Sequence, residues 1–331
     1  MIITKTPFRI SFVGGGSDIS SFYNHYPGAV LSTTINKYMY ITSHRFFDED
    51  KLRIKYSKTE TVGNVNNIKH PIVKEIFKKF NIKGALELTS HGDVPAGTGL
   101  GSSSSFTVGV LHNLYALSGQ LVTKDSLAEE ACDIEINKVG SPIGKQDQYA
   151  AAFGGLNIIR FNSNGDVNVA PIHLKESIYK KLEENLVIFY TGKKRDASSI
   201  LKKQKSNLES DSKKVETLKE MVDLVPKMRD VLYQGELRRF GELLHQNWLL
   251  KQQLVPTIGN NFINNLYDKA LKNGAIGGKI LGAGGGGFLL LYCEKKNLKK
   301  LRNSMFPLKE LKFCFENEGS KLIYIDNEYE K

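Results

Sequence analysis

The sequence predicts an α+β protein built from two domains. The chain has 331 residues, a length that suits one large or two medium domains. Hydrophobic residues make up 40% of it and charged residues 24%, enough apolar side chains for a real core. Meandering strands are mixed with helices along the chain, which favours the α+β class. A boundary near residues 165–185 gives predicted domains of residues 1–175 and 176–331.

The strands are predicted from short runs of β-branched and aromatic residues between turns. In the first half of the chain these runs lie at residues 8–13, 29–42, 85–89 and 156–161. A polar turn at residues 162–166 then predicts a hairpin. In the second half, strands are predicted at 186–190 and 288–293, and a last helix and strand follow.

The helices are predicted from apolar residues that recur every three or four positions. One helix spans residues 70–80, and another spans Ser102 to Leu117 with Gly119 as its stop. Thr123 is a good N-cap for a helix that runs to about residue 138. The remaining predicted helices are a short one from Asp147, a charged helical region at 197–250 and a helix at 262–273.

Composition excludes several classes of protein. No apolar run approaches the roughly 18–20 residues of a membrane helix, and Met1–Pro7 lacks the apolar core of a signal peptide. Cys132, Cys293 and Cys314 form neither a disulfide framework nor a CxxC pair. We therefore expect a cytoplasmic protein with no membrane partner. The net charge of +11 leaves nucleic acid, anionic small molecules and plain solubility open.

The segment Pro95–Ser105 predicts a phosphate-binding loop. Its three alternating glycines keep the loop free of Cβ atoms, so a phosphate can lie against the backbone. The helix behind it offers free N–H groups and the positive end of its dipole. The four serines could bind phosphate or a metal ion. A serine-capped helix after a glycine turn is the plainer alternative.

Two other glycine runs are less specific. Gly14–Gly16 follows a strand and precedes Asp18, so it suits close approach of a ligand or a turn in which Asp18 caps the next helix. Gly282–Gly287 contains the pattern GxGxxG, but a strand rather than a helix follows, which excludes a dinucleotide site. Approach of a ligand or a neighbouring backbone, or a structural turn, stays open there. The Walker A pattern is absent from the sequence.

Two acids lie between these glycine segments. Glu135 shares the small, apolar side of its predicted helix with Ala128, Ala131 and Cys132, and a buried acid needs a partner or a metal ion. Asp147 begins a short helix. With a phosphate loop, one acid suits Mg²⁺ and the other suits proton handling, the two needs of phosphoryl transfer. A lysine partner for Glu135, and an ordinary helix-start role for Asp147, are the alternatives.

The order of these segments resembles the GHMP kinase superfamily, named for galactokinase, homoserine kinase, mevalonate kinase and phosphomevalonate kinase. Pro95–Ser105 resembles its phosphate loop, Pro7–Asp18 its N-terminal substrate motif, and Lys279–Phe288 its C-terminal glycine motif. The resemblance implies an N-terminal domain like ribosomal protein S5 domain 2 and a ferredoxin-like C-terminal domain. ATP, Mg²⁺ and a small-molecule sugar or sugar phosphate would meet between them.

The resemblance also implies a role for individual residues. Glu135 matches the family's Mg²⁺-binding glutamate, with Ser103 as a second metal ligand, and Asp147 matches the catalytic aspartate. Arg9 matches a basic position near the transferred phosphate and the substrate hydroxyl. The implied ATP-binding residues are Gly97, Gly99, Leu100, Gly101, Ser102, Ser103 and Ser104. The implied substrate-binding residues are Arg9, Gly15, Gly16, Asp18, Arg195, Gly284 and Gly285.

One departure narrows the expected substrate. Galactokinases carry Glu-His where this chain has Gly15 and Gly16, which leaves more room beside Asp18. The sequence around Arg9 and Asp147 is most similar to that of the bacterial kinases of D-glycero-D-manno-heptose 7-phosphate. Those enzymes phosphorylate the anomeric hydroxyl in the synthesis of surface polysaccharide precursors. L-Fucokinase domains share the same start and are the alternative.

A phosphorylated sugar would also need a cation. Lys193, Lys194 and Arg195 follow a predicted strand end, and Arg195 is favoured because a guanidinium can bind phosphate with two hydrogen bonds. A solvated basic turn is the alternative.

A basic RNA-binding protein is the alternative from another functional class. The lysines and arginines of this chain are mixed with acids, however, so we expect no nucleic-acid partner. An inactive regulator is a further alternative, and monomer and homodimer both stay open.

Overall fold

The computed structural model describes residues 1–192, 197–255 and 259–326. Its strands in these ranges are β1 (Ile2–Val13), β2 (Gly28–Arg45), β3 (Leu52–Lys55), β4 (Thr59–Val62), β5 (Leu86–Gly92), β6 (Leu156–Phe161), β7 (Val167–Pro171), β8 (Leu186–Tyr190), β9 (Ala275–Ile280), β10 (Phe288–Cys293), β11 (Lys309–Glu310), β12 (Phe315–Glu316) and β13 (Lys321–Ile325). Its helices are α1 (Ser20–Tyr23), α2 (Pro71–Lys79), α3 (Ser102–Leu117), α4 (Lys124–Cys132), α5 (Gln146–Phe153), α6 (Glu176–Glu184), α7 (Ala197–Ser210), α8 (Ser212–Gln234), α9 (Leu237–Leu254), α10 (Asn261–Lys272) and α11 (Leu298–Met305). Helix α4 continues into a π-helical segment at Asp133–Lys138.

The larger sheet is organised around β1 and β2. In the described residues its strands follow the order β13-β1-β2-β5-β3-β4, with β6 and β12 also paired to β2, and β7 paired to β6. The neighbours are antiparallel apart from β3 and β5. Strand β13 returns from the end of the chain to pair with β1, so the two termini are joined in one sheet. The predicted domain boundary itself stays a prediction.

Helix α3 packs closely on this sheet. Thr4 Oγ1 donates to the Gly109 carbonyl over 2.9 Å, and a Cβ on Gly109 would lie only 3.0 Å from Ile41 and Thr6 side-chain atoms. The glycine therefore lets the helix approach β1 and β2. Helices α4 and α5 pack beside it and share an apolar core with α2.

The smaller sheet has the antiparallel order β11-β8-β10-β9 in the described residues. Helix α9 packs directly on β9, where a Cβ on Gly277 would lie 2.0 Å from the Gly241 carbonyl oxygen. Strand β9 was not predicted, because Gly277 and Gly278 interrupt any run of β-branched and aromatic residues there. These glycines serve close helix–strand packing instead.

The two sheets meet through the ends of β1 and β9. The rings of Phe12 and Phe240 pack edge to face with centroids 5.1 Å apart, and Lys279 Nζ donates to the Phe12 carbonyl over 3.1 Å. The loops after β1, before α3 and before β10 therefore converge at this junction. The α+β class is confirmed, and the helix at 102–117 and the strands at 156–161, 186–190 and 288–293 have their predicted bounds.

No described helix combines the length and the apolar character that a membrane crossing requires.

Candidate active site

A cavity of about 200 Å³ lies where the glycine-rich loops converge. Its walls come from both halves of the chain, and most of the predicted site residues line it. The lining residues are Arg9, Ser11, Gly15, Gly16, Asp18, Ile19, Gly97, Gly99, Gly101, Ser102, Ser103, Ser104, Ile143, Gly144, Gln146, Asp147, Leu201, Lys251, Leu281, Gly282, Ala283, Gly284 and Gly286.

The N-terminus of α3 opens into this cavity. Its N-cap is Gly101, in the left-handed region at φ +75°, and among the described residues no side chain caps the helix. A serine-capped helix is therefore ruled out. The first N–H groups of α3 have no partner within the helix and belong to residues that line the cavity, an arrangement that suits an anion. The Leu100 side chain is buried in the core instead, although its carbonyl accepts a 3.1 Å hydrogen bond from the Arg9 amide.

Arg9 and Asp147 form a paired group on the cavity wall. Arg9 Nε donates to Asp147 Oδ1 over 2.7 Å and Nη2 donates to Oδ2 over 2.6 Å. The remaining terminal nitrogen, Nη1, donates to the Gly99 carbonyl over 2.6 Å. The arginine is 4% exposed and the aspartate 22%, so the carboxylate remains accessible to a ligand. Asp147 is thus more than an ordinary acid at the start of α5, because β1 holds it in a fixed orientation.

Asp18 is buried beside this pair. Its carboxylate accepts hydrogen bonds from the Gly16 amide over 3.0 Å and from the Gln146 amide and side chain over 3.2 Å each. It does not cap α1, whose N-cap is Ile19. Burial, with a smaller effect from Asp147, raises the pKa of Asp18. Gly144 allows this packing, since a Cβ there would lie 2.0 Å from Asp18 Oδ2.

Glu135 lies deeper, behind the start of α3. Ser103 Oγ donates to its Oε1 over 2.6 Å, and Gln148 Nε2 donates to its Oε2 over 2.8 Å. No lysine pairs with Glu135 in the described part of the chain, so the structure favours these two polar partners over a lysine. Burial is the main cause that raises the pKa of Glu135, and the side chain faces inward as predicted, from the π-helical segment that follows α4.

The Glu135 carboxylate and Ser103 hydroxyl fit a magnesium site. Both are oxygen donors, as Mg²⁺ prefers, and they lie at the anion-binding end of α3. No cluster of three His, Cys, Asp or Glu side chains suited to a metal occurs in the described part of the chain. Mg²⁺ in such sites is held by one or two protein ligands plus phosphate and water, and this donor set matches that pattern.

Lys251 and Gln146 are two polar cavity residues among those that were not predicted from the sequence. Lys251 is buried on α9, where its Nζ donates to the Gly282 carbonyl, and burial is the main cause that lowers its pKa to about 8. Gln146 exposes no surface at its Oε1, which has no partner in the described residues. A helical stripe of Leu244, Trp248 and Lys251 could have identified the lysine as inward-facing. No comparable signal distinguished Gln146.

The two glycine loops touch at the cavity. A Cβ on Gly282 would lie 2.6 Å from the Gly99 Cα. Of the predicted substrate-binding glycines in this loop, Gly284 lines the cavity, while the Gly285 carbonyl lies within 3.4 Å of Asn260 Nδ2, which donates to it. The predicted cationic clamp, Arg195 with Lys193 and Lys194, lies outside the described residues.

Together these groups combine a cavity suited to an anion and a hydroxyl with the Glu135 and Ser103 oxygens, which adjoin it and suit a metal ion. The helix end and serines suit phosphates, the Glu135 and Ser103 oxygens suit the metal, and Asp147 is fixed for contact with a hydroxyl. These are the groups that phosphoryl transfer to an alcohol requires.

Comparisons with known families match both halves of the chain. Residues 66–155 match the family described as GHMP kinases N terminal domain, and residues 228–307 match GHMP kinases C terminal. The chain is similar to a D-glycero-alpha-D-manno-heptose 7-phosphate kinase from Campylobacter jejuni, with 32% identity over 97% of this chain and 98% of that protein.

Two further similarities are more distant. A bifunctional fucokinase/GDP-fucose pyrophosphorylase from Arabidopsis thaliana is 27% identical over 91% of this chain and 31% of that protein. The crystal structure of a D-glycero-D-manno-heptose 1-phosphate kinase from Bacteroides thetaiotaomicron has the same fold, with a TM-score of 0.81, 24% identity, and coverage of 98% of this chain and 100% of that one.

Proposed function

The chain belongs to the GHMP kinase family, and we propose that it transfers the γ-phosphoryl group of ATP to the anomeric hydroxyl of D-glycero-D-manno-heptose 7-phosphate. The product would be the 1,7-bisphosphate, a precursor for nucleotide-heptose and surface polysaccharide synthesis. The observation that carries the proposal is the near full-length similarity to a heptose 7-phosphate kinase, joined to a cavity that holds the Arg9–Asp147 pair. A cytoplasmic location follows from ATP as the donor.

The phosphate chain of ATP would lie against the start of α3. The free N–H groups of Ser102, Ser103 and Ser104 face the cavity there, and their positive field favours the anion. Gly97 leaves space for close approach, because no atom lies within 4 Å of where its Cβ would be. Ser103 and Glu135 would hold Mg²⁺, which when bound neutralises charge on the phosphates.

Asp147 would orient the anomeric hydroxyl and accept its proton. The hydroxyl oxygen then bonds to the γ-phosphorus while the bond from that phosphorus to the bridging oxygen of ADP breaks. Arg9 fixes the aspartate with two hydrogen bonds and places its positive charge beside the carboxylate. The same arginine contacts Gly99 of the phosphate loop, so it links the proton acceptor to the anion site.

Asp18 and Gln146 would bind sugar hydroxyls. The Gln146 oxygen has no described partner, and Gly15 lies beside it, with its Cβ position 3.9 Å from that oxygen. The absence of a side chain at Gly15 and Gly16 leaves this end of the cavity wide. That space suits a seven-carbon sugar better than a site filled by Glu-His.

A coupled ADP-release assay tests the proposal. We expect turnover with D-glycero-D-manno-heptose 7-phosphate, and weak or no turnover with unphosphorylated heptose, L-fucose and D-galactose. Preference for L-fucose would instead support the relationship to fucokinases. Salt-dependent binding of RNA without any sugar-dependent ADP release would contradict a kinase.

A further inference from the structure

Lys251 is a buried cation on the cavity wall to which the steps above give no role. It lies on α9, in the second half of the chain, and is 7% exposed. Its ammonium group donates to the Gly282 carbonyl, the one partner recorded for it in the described residues. An ammonium has three N–H donors, so two of them stay available for a ligand.

The partner of Lys251 places it at the phosphate loop. A Cβ on Gly282 would lie 2.6 Å from the Gly99 Cα, so the two backbones are in contact. Gly99 also accepts the hydrogen bond from Arg9 Nη1. Two cations, one from β1 and one from α9, are therefore anchored on adjoining backbone positions beside the anion site.

The surrounding charges leave Lys251 without an acid of its own. The charged groups that act on it are Arg9, Asp18 and Asp147, with Lys279 also nearby from β9. Asp147 is held by Arg9, and Asp18 accepts hydrogen bonds from Gly16 and Gln146 instead. A buried cation that lacks a partner is costly, and an anion in the cavity would offset that cost.

We propose that Lys251 is a catalytic residue that binds the phosphoryl group while it passes from ATP to the sugar. The inference rests on the proposed kinase function. Its Nζ would donate to a non-bridging oxygen of the transferring group, on which charge is concentrated in a loose transition state. The charge of Arg9 is already paired with the Asp147 carboxylate, and three of its five N–H groups donate to Asp147 and Gly99. Lys251 would supply the free positive charge.

Kinetics of Lys251→Met test this role. Methionine keeps the length and apolar stem of lysine, so we expect a folded protein whose kcat is about 10²–10³-fold lower, the usual loss for one such donor. KM for the sugar should stay near the wild-type value. A rise in KM confined to the phosphorylated sugar, with kcat intact, would assign Lys251 to the substrate's own phosphate and overturn the proposal.

Lys279→Met is the matched control. Lys279 is also buried and also donates to one backbone carbonyl, but it does not line the cavity. We expect it to retain most of the wild-type kcat. Equal losses of kcat in both variants would mean that Lys251 is structural.

Nucleotide binding gives a readout that does not depend on the sugar. Calorimetry without sugar should show that Lys251→Met loses affinity for a non-hydrolysable ATP analogue but keeps its affinity for ADP. Equal affinity losses for both nucleotides would overturn the proposal. If the wild type binds ATP but phosphorylates another sugar, the heptose assignment fails while this result stands; if it binds no ATP, the proposed function fails.

A measurement on the wild type covers the case in which Lys251→Met does not fold. Because the pKa of Lys251 is about 8 in the free protein, binding a phosphoryl anion beside it should raise that pKa and take up protons above pH 8. Calorimetry in buffers of different ionisation enthalpy should show more proton uptake with the ATP analogue than with ADP. Equal uptake would contradict the inference.

Discussion

The two glycine-rich loops at the cavity have similar compositions but use their glycines differently. In the first loop, a Cβ on Gly97 would have no atom within 4 Å, so this glycine leaves space for a ligand. In the second, a Cβ on Gly282 or Gly287 would lie 2.6 Å from Gly99 or 2.4 Å from the Thr98 carbonyl oxygen. Gly99 of the first loop also packs closely, since a Cβ there would lie 2.4 Å from the Leu281 carbonyl oxygen. Within the first loop, Gly97 therefore leaves space for a ligand, whereas Gly99, Gly282 and Gly287 join the two loops.

The largest expected effect is on the open side of the cavity, where we place the chemistry. Asp147→Asn keeps the shape of the side chain but removes the charge that would accept the proton. We expect kcat to fall by about 10²–10⁴-fold. Steady-state kinetics measure the loss, and circular dichroism with thermal unfolding verifies the fold. Wild-type turnover in a folded variant would remove Asp147 from the mechanism.

Gly282→Ala tests the packed loop. Its φ of +70° disfavours any side chain by about 1–2 kcal/mol, and the clash with the Gly99 backbone adds to that cost. We expect the free energy of unfolding to fall by more than about 2 kcal/mol in a urea titration. Activity should fall with it, because the phosphate loop would be displaced. A variant as stable as the wild type would contradict the packing role.

Glu135→Gln separates the role of this carboxylate in activity from its effect on the stability of the protein. Burial raises the pKa of Glu135 above its ordinary value of 4.5, so the folded chain binds its proton more tightly than the unfolded chain does. Its contribution to stability is therefore lost as pH rises from about 4.5 through the raised pKa. Because this stability is lost on the high-pH side, we expect Glu135→Gln, which has no such titration, to have a higher Tm than the wild type there.

The same variant should need more metal. Loss of a carboxylate ligand should raise the Mg²⁺ concentration for half-maximal activity by about tenfold or more. The Gln148 Oε1 has no described partner, so its amide can rotate to accept from the new side chain. Titrations of Mg²⁺ and thermal unfolding at several pH values measure both effects. An unchanged metal requirement would argue against Glu135 as a ligand.

The smallest expected change in stability is at Gly97. Gly97→Ala meets no atoms in the fold, so only its φ of +75° is unfavourable, at about 1–2 kcal/mol. We expect it to raise the KM for ATP more than it affects the KM for the sugar. A loss of stability as large as that of Gly282→Ala would end the distinction between the two loops.

Much of the fold was predictable because its signals are local. Helix α3 has the predicted bounds, since its apolar residues and Gly119 mark it within one segment. Strand β9 was missed because Gly277 and Gly278 resemble turn residues in sequence. Their reason, contact with α9 through Gly241, depends on a residue far away in the chain.

The site divides in the same way. The sequence motifs predicted Arg9, Asp18, Glu135 and Asp147 as site residues. The hydrogen bonds between Arg9 and Asp147 join residues 138 positions apart and could not be deduced from the sequence. Lys251 lies in a charged helical region, where its burial depends on how α9 packs. Its position beside the phosphate loop becomes clear only from the contact between Gly282 and Gly99.

Phosphorus-31 NMR of the reaction product tests the central claim most directly. With ATP and D-glycero-D-manno-heptose 7-phosphate, we predict a second phosphate signal coupled to the anomeric proton and one ADP formed per heptose. No transfer to this heptose by an enzyme that phosphorylates L-fucose or D-galactose would contradict the account.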